Sequence, residues 1–279
     1  MVYWGEDEVD GEGCCLLSAA IISVSTAHCG LGGRHFNDPH IISVRNWPAN
    51  NSSCFGCILG YMATATHGSA IVFPNESFDP LATLKAVQEY ACTALYGVPT
   101  MFLSELELLR SGTVSHTGFE HLRTGIAAGS SIPAELMRKL HNVLNLTELT
   151  ICYGMTETSP VSAMTTTNDP IQKRIETVGR LMPHVKAKVV QPGDWSKVVP
   201  IGTRGELTVS GYLIMKGYWG DEERTREVMV PDEEGVMWMH VSSPCLLLSS
   251  CHKSFMGVVA DGLDRPGTRQ RWMKRATSK

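Results

Sequence analysis

The stretch from Leu149 to Glu157 holds the side chains best suited to chemistry. An apolar run predicts a buried strand, and Tyr153, Gly154, Thr156 and Glu157 follow it on one tight loop. An aromatic ring can stack on an adenine, and a glycine lets a phosphate approach the backbone. A hydroxyl can hydrogen-bond that phosphate, and a carboxylate can hold a divalent cation. The loop therefore predicts a site that handles a nucleotide.

The elements that must position this loop alternate between strands and helices. Pro80, Pro99 and Pro133 each open a segment with apolar residues at helical spacing. Short apolar runs predict strands at residues 68–73, 92–96, 122–128 and 149–152. This alternation predicts an α/β fold whose mostly parallel sheet is covered by helices.

Two loops are expected at the carboxyl edge of that sheet, where ligands gather beside helix N-termini. One spans residues 128–131 and contains Gly129, Ser130 and Ser131, and the other spans residues 153–157. An alternative interpretation makes Gly129 an ordinary turn glycine and the 156–157 pair a solvated helix start.

The pattern changes at about Thr177. Alternating polar and apolar residues, separated by Gly and Pro turns, predict short antiparallel strands through residue 240. This segment is interpreted as a small β-rich subdomain. Within it, Tyr218 and Trp219 form an aromatic pair between glycines, and core packing is predicted for Trp219.

Composition restricts the class of protein. The 279 residues are 43% hydrophobic and carry a formal net charge of −4, which fits one or two globular domains and excludes nucleic-acid binding. No apolar run approaches membrane-spanning length, and the acidic start lacks the positive flank of a secretory signal, so an intracellular protein is expected. The nine cysteines are interpreted as reduced thiols. For Cys54 and Cys57, which have CxxC spacing, packed thiols are favoured over a metal or redox site.

The sequence resembles the adenylate-forming superfamily, and within it the medium-chain-type fatty acyl-CoA synthetases. The resemblance is carried by Tyr153-Gly154-Met155-Thr156-Glu157, by the small-residue loop from Gly125 to Pro133, and by Val178-Gly179-Arg180 and Gly205-Glu206-Leu207 through Gly217-Tyr218-Trp219. It covers residues 54–240. The domains expected from it are a non-matching segment at 1–53, an α/β part at 54–176, a β-rich part at 177–240 and a non-matching tail at 241–279.

The resemblance implies a two-step ligase, in which a carboxylate attacks the α-phosphate of ATP and the CoA thiol then displaces AMP. The nucleotide would be bound by Gly129, Ser130, Ser131, Tyr153, Gly154, Met155 and Thr156. Tyr153 would stack on adenine, Thr156 would hydrogen-bond the α-phosphate, and Glu157 would help to hold Mg²⁺. Thr156 and Glu157 would be the catalytic pair. Val98, Pro99 and Ser159 would line the acyl pocket.

The two ends depart from the family pattern. Residues 1–53 supply no hydroxyl-rich phosphate loop ending in lysine, and after His240 the family's Thr-Gly-Asp, hinge and lysine-bearing lid domain are absent. The ends are interpreted as translated non-coding sequence or as those of a truncated paralogue. An incomplete N-terminal domain that is inactive or weakly active as written is therefore expected, in the cytoplasm or the peroxisome.

Two alternatives concern function. A pseudoenzyme would bind a nucleotide or an acyl group without turnover. A Rossmann-type oxidoreductase would need GxGxxG after the first strand, with an acidic residue about 20 positions further on. The sequence contains no such arrangement.

Overall fold

The computed structural model describes residues 2–3, 42–43, 55–67, 69–75, 77–130, 132–200, 203 and 205–240. The helices are α1 Ala63–His67, α2 Pro80–Glu89, α3 Pro99–Arg110, α4 Ala134–Val143, α5 Ile171–Glu176 and α6 Glu222–Val228, with a π-helical segment at Phe55–Met62 and a 3₁₀ turn at Thr156–Thr158. The first eight strands are β1 Val2–Tyr3, β2 Ile42–Ser43, β3 Ile71–Val72, β4 Ala94–Leu95, β5 Thr124–Ala127, β6 Glu148–Tyr153, β7 Ala163–Met164 and β8 Arg180–Leu181. The others are β9 Lys186–Gln191, β10 Asp194–Val198, β11 Glu206–Ser210, β12 Gly217–Tyr218, β13 Met229–Pro231 and β14 Met237–His240.

A seven-stranded sheet has the order β3-β2-β4-β5-β6-β7-β8. The strands from β3 to β6 are parallel, whereas β7 and β8 run antiparallel to their neighbours. The prediction of an α/β fold with a mostly parallel sheet followed by a small β-rich subdomain is confirmed.

Both faces of β4, β5 and the middle of β6 are buried, which explains why these strands read as continuous apolar runs. Successive side chains of a strand point to opposite faces. Leu95 accordingly packs into one hydrophobic cluster with residues of α2, α3 and α4, while its neighbours Ala94 and Tyr96 pack into a second cluster. In the same way Ile151 joins the first cluster and Cys152 the second.

The helices that cover the sheet begin at a capping residue or at a proline. The Asp79 carboxylate accepts hydrogen bonds from the backbone N–H groups of Leu81 and Ala82, at 2.8 and 3.2 Å, and Pro80 occupies the first helical position of α2. Helix α3 likewise begins at Pro99, directly after Val98. The helix starts expected from these prolines are therefore found where the sequence places them.

A buried arginine ties α5 to the sheet. The Arg174 guanidinium donates to the carbonyl oxygens of Asp169, Leu149 and Thr147 at 3.0, 2.7 and 2.9 Å. Burial lowers the pKa of Arg174, and the nearby carboxylates of Asp169 and Glu148 oppose that shift. This side chain fixes the start of β6, the strand that leads to the Tyr153 loop.

The β-rich part forms a five-stranded antiparallel sheet with the order β10-β9-β11-β14-β13. A third hydrophobic cluster of the protein includes Leu207, Val209 and Met239 of this sheet. Tyr153 and Met155 pack against this cluster. The prediction of core packing for Trp219 is wrong, because this side chain is 54% exposed. Its neighbour Tyr218, the last residue of β12, is half-buried instead.

The remaining expectations concern cysteines and membranes. Cys57, Cys92 and Cys152 are free cysteines, and Cys54 lies outside the described residues. Of the helices that the structure describes, none is both long enough and apolar enough to cross a membrane.

Candidate nucleotide site

The two loops singled out in the sequence leave the same edge of the sheet. Strands β5 and β6 are parallel neighbours, with Ala127 opposite Ile151. The loop at 128–130 follows β5 and the loop at 153–157 follows β6, so both begin at the carboxyl ends of adjacent strands. This is where ligands bind in open parallel sheets.

The first loop needs its glycine. Gly129 has a φ of +87°, a conformation that side chains disfavour. A Cβ on Gly129 would lie 3.1 Å from Val98 Cγ1, so this loop lies close to the residue that precedes α3. The structure thus brings Gly129 next to Val98 and to the buried Pro99, two residues assigned to the acyl pocket. Ser130 is exposed, and Ser131 lies outside the described residues.

The second loop begins with a residue held by the sheet. Tyr153 is the last residue of β6, pairs with Ala163, and accepts a hydrogen bond on its carbonyl oxygen from the Ser162 N–H at 2.8 Å. Gly154 follows and is exposed, yet a Cβ there would overlap the carbonyl oxygen of Pro160. Only glycine lets the two chain segments approach so closely, which gives this position a structural reason beside any role toward a phosphate.

A short turn then presents Thr156 and Glu157. The Thr158 side chain caps it, since Thr158 Oγ1 accepts from the Met155 N–H at 3.0 Å and lies 3.1 Å from the Met155 carbonyl oxygen. Thr158 is buried, whereas Thr156 and Glu157 are half-buried. The turn therefore hides its capping residue and keeps the predicted catalytic pair within reach of a ligand.

Glu157 is fixed by a segment that is distant in sequence. Its backbone carbonyl oxygen accepts from the Met215 N–H at 2.9 Å. Its carboxylate atom Oε1 accepts from the Tyr218 hydroxyl at 3.0 Å. Burial first, and then the bond and charge of Glu157, raise the pKa of Tyr218, so this phenol stays protonated as a donor.

Ser159 has an anchoring contact. It is 9% exposed, has a φ of +54°, and its hydroxyl donates to the Leu213 carbonyl oxygen at 2.6 Å. This hydroxyl links the loop to the segment that also holds Glu157. The assignment of Ser159 to the acyl pocket stays a prediction.

A magnesium ion at this site would need oxygen ligands. Among the described residues, no group of three or more His, Cys, Asp or Glu side chains could hold a metal ion. Mg²⁺ keeps several waters and is usually bound by one or two carboxylates together with substrate phosphates. Glu157, with Oε1 already bonded to Tyr218, fits a cation that arrives with a nucleotide, and it does not fit a cation held by protein groups alone.

Sequence reasoning missed the partner of Glu157. The sequence pattern presents Tyr218 only as half of an aromatic pair, and nothing in its neighbourhood points to a carboxylate 61 positions away. The contact arises because the Met215 N–H bonds to the loop at Glu157, and β12, which follows in the chain, then places Tyr218 beside the Glu157 carboxylate. The available sequence signal was the tyrosine of the Gly217-Tyr218-Trp219 segment, whose hydroxyl can donate a hydrogen bond to a carboxylate.

Comparisons with known proteins identify the family of this chain. A family model described as "AMP-binding enzyme" matches residues 33–219. An acyl-CoA ligase, SID4 of Ajellomyces capsulatus, is 44% identical over 214 residues, which are 77% of this chain and 36% of that protein. A zebrafish (Danio rerio) protein named medium-chain acyl-CoA ligase ACSF2, mitochondrial, is 41% identical over 179 residues, or 64% of this chain and 29% of that protein.

Solved structures show the same fold. A long-chain-fatty-acid-CoA ligase, FadD1 of Archaeoglobus fulgidus, superimposes with a TM-score of 0.67 at 20% identity, over 81% of this chain and 44% of that one. The o-succinylbenzoate CoA synthetase of Bacillus subtilis, solved in complex with AMP, gives a TM-score of 0.59 at 18% identity, over 80% of this chain and 44% of that one. The chain spans about a third of the length of the curated acyl-CoA ligases that match it at 44% identity, 36% and 35% of the two.

Proposed function

This chain belongs to the AMP-binding enzyme family, and from that premise we propose that its two loops bind ATP and a carboxylic acid for acyl-adenylate formation. The chain is an AMP-binding domain homologous to acyl-CoA ligases. The observation that carries the proposal is that the 128–130 and 153–157 loops leave the same edge of the sheet, with Glu157 of the second loop fixed by Tyr218.

The proposed reaction has two steps. An oxygen of the carboxylic acid forms a bond to the α-phosphorus of ATP while the bond to the leaving pyrophosphate breaks. The sulfur of CoA then bonds to the acyl carbon, and AMP leaves. Catalysis of this kind depends on positioning and on electrostatic stabilisation, so no side chain has to act as a strong base.

Each loop residue has a proposed part in the first step. Tyr153 contacts the adenine across from Gly129 and Ser130, and Gly154 and Met155 keep the backbone close to the phosphates. The Thr156 hydroxyl donates to the α-phosphate. Glu157 holds Mg²⁺, whose charge offsets the negative charge that builds up on the phosphate oxygens.

The acyl chain is proposed to lie along Val98 and Pro99. Val98 lies close to Gly129, so an acyl group placed there would lie beside the proposed nucleotide site. The name of the zebrafish relative specifies a medium-chain substrate, and we propose a fatty acid of this class here. That relative's name places it in mitochondria, and a cytoplasmic or peroxisomal location for this chain stays a prediction.

Acyl sulfamoyladenosines are stable mimics of an acyl-adenylate. Isothermal titration of the protein with these compounds and with AMP, and comparison of their dissociation constants, tests the proposal. Burying only two methylene groups is worth about 1.6 kcal/mol, so the octanoyl compound is expected to bind at least about tenfold more tightly than AMP. Thr156→Val should weaken both ligands. Octanoyl and acetyl compounds that bind no better than AMP would show that the site takes a nucleotide without an acid.

The expectation of weak turnover has its own test. Exchange of labelled pyrophosphate into ATP follows the first step alone. We expect at most weak exchange from the 279-residue chain, and vigorous exchange that depends on an added fatty acid would refute the expectation while supporting the proposed chemistry.

A further inference from the structure

The loop that carries Glu157 is clamped by one neighbouring segment, residues 213–218. Three hydrogen bonds join the two, all between groups more than 50 positions apart in the chain. They run from Ser159 Oγ to the Leu213 carbonyl oxygen (2.6 Å), from the Met215 N–H to the Glu157 carbonyl oxygen (2.9 Å), and from Tyr218 Oη to Glu157 Oε1 (3.0 Å). The first anchors the Ser159 side chain, and the second fixes the backbone at Glu157. The third fixes the carboxylate.

Tyr218 is itself held from two directions. Its backbone N–H donates to Thr225 Oγ1 at 2.9 Å, and the Arg224 guanidinium lies over its ring, 5.6 Å from the centroid. Both partners belong to the first turn of α6, whose N-cap is Asp221. The phenol is therefore a preorganised donor and not a surface hydroxyl that happens to reach a carboxylate.

A glutamate side chain has three rotatable bonds, and an unrestrained carboxylate loses that freedom when it binds a cation. A donor bonded to one oxygen removes part of this cost in advance. Groups that orient metal-binding carboxylates usually change metal affinity or activity by about 10- to 100-fold when removed.

We propose that Tyr218 is a positioning residue, which holds Glu157 Oε1 and leaves Oε2 for the cation that accompanies ATP. The inference rests on the proposed function, because it assumes that Glu157 meets a nucleotide-bound cation. It adds to that function a residue that comes from the β-rich part of the chain. Metal-dependent nucleotide binding thus depends on α6 and β12 as well as on the parallel sheet.

Tyr218→Phe tests the inference because it removes the hydroxyl and keeps the ring. The dissociation constant of ATP is measured by isothermal titration twice, once with MgCl₂ and once with EDTA, and the ratio of the two gives the gain from the metal. We expect Tyr218→Phe to reduce that gain about tenfold, while the affinity in EDTA stays within about twofold. Tyr90→Phe is the matched control, since Tyr90 is an exposed tyrosine at the end of α2.

A double-mutant cycle identifies the carboxylate as the target. In the Glu157→Gln background, Tyr218→Phe should cause no further loss of the metal-dependent gain. Thr225→Val is a second variant that leaves the phenol in place and releases its backbone, and a smaller loss in the same direction is expected. Far-UV circular dichroism confirms that each variant is folded before titration.

The outcomes separate the inference from the function. A wild-type chain that binds no ATP with or without metal overturns both. A wild-type chain whose metal-dependent gain survives unchanged in Tyr218→Phe and Thr225→Val overturns the inference alone. Equal losses with MgCl₂ and with EDTA would assign Tyr218 to the support of the fold, and would also overturn it.

Discussion

Glu105→Gln removes a carboxyl group that helix α3 buries among apolar side chains. Glu105 is 1% exposed, and neither of its oxygens has a hydrogen-bond partner among the described residues. Burial raises the pKa of Glu105 from 4.5 to about 8. At neutral pH the folded protein therefore keeps this carboxyl protonated, whereas the unfolded chain releases the proton.

The sign and size of the effect follow from this difference. The pKa in the folded state lies above that in the unfolded state, so the associated stability is fully present below pH 4.5 and is lost as the pH rises through about 8. Within that window each pH unit changes the free energy of unfolding by about 1.4 kcal/mol. Between pH 5 and pH 7 the wild type should lose about 3 kcal/mol that Glu105→Gln does not lose.

The assay is urea unfolding of both proteins at pH 5, 6, 7 and 8, followed by far-UV circular dichroism. The amide introduced by Glu105→Gln carries its own cost of burial, so the test is the change with pH and not the offset between the proteins. Glu107→Gln is the matched control on the same helix, because the Glu107 side chain is 60% exposed and pairs with Arg110 at 2.8 Å. Arg110 lowers the pKa of Glu107, so its small effect should have the opposite sign. Parallel pH profiles for wild type and Glu105→Gln would show that burial does not keep the Glu105 carboxyl protonated in the folded protein.

Three further changes have defined outcomes. Burial lowers the pKa of His240 below 6.5, so the stability that it contributes is present above pH 6.5 and is lost as the pH falls. His240→Phe should therefore flatten the acid side of a plot of Tm against pH. Gly129→Ala and Gly112→Ala should each lower the free energy of unfolding by about 1 kcal/mol, because both residues have a positive φ. AMP titration should show weaker binding only for Gly129→Ala. Arg174→Lys should lower the free energy of unfolding, measured in urea, by about 3 kcal/mol, because an ammonium group cannot keep the three hydrogen bonds to carbonyl oxygens. Unchanged midpoints, or equal AMP affinities for the two alanine variants, would contradict these expectations.

Much of the fold could be predicted from local sequence. Prolines at helix starts, the Asp79 cap and continuous apolar runs act over a few residues, and the structure places α2, α3, β5 and β6 where these signals indicate. Burial of both sheet faces makes such runs easy to recognise. The two candidate loops follow directly, because parallel neighbours must end at the same edge.

The contacts that finish the site were not predictable in this way. The Glu157 to Tyr218 bond and the Ser159 to Leu213 bond join positions more than 50 residues apart, and they depend on how the β-rich part passes the parallel sheet. The interpretation of Trp219 failed for a related reason. Aromatic rings between glycines can face either way, and the packing that decides between Tyr218 and Trp219 is tertiary.

Photolabelling with 8-azido-ATP tests whether the loops after β5 and β6 form one nucleotide site. The reactive nitrogen lies on the adenine ring, so proteolysis and mass spectrometry should locate the label within residues 124–130 or 148–157. Excess AMP should prevent the labelling. A label found elsewhere in the chain, or a label on these loops that AMP does not prevent, would contradict the account.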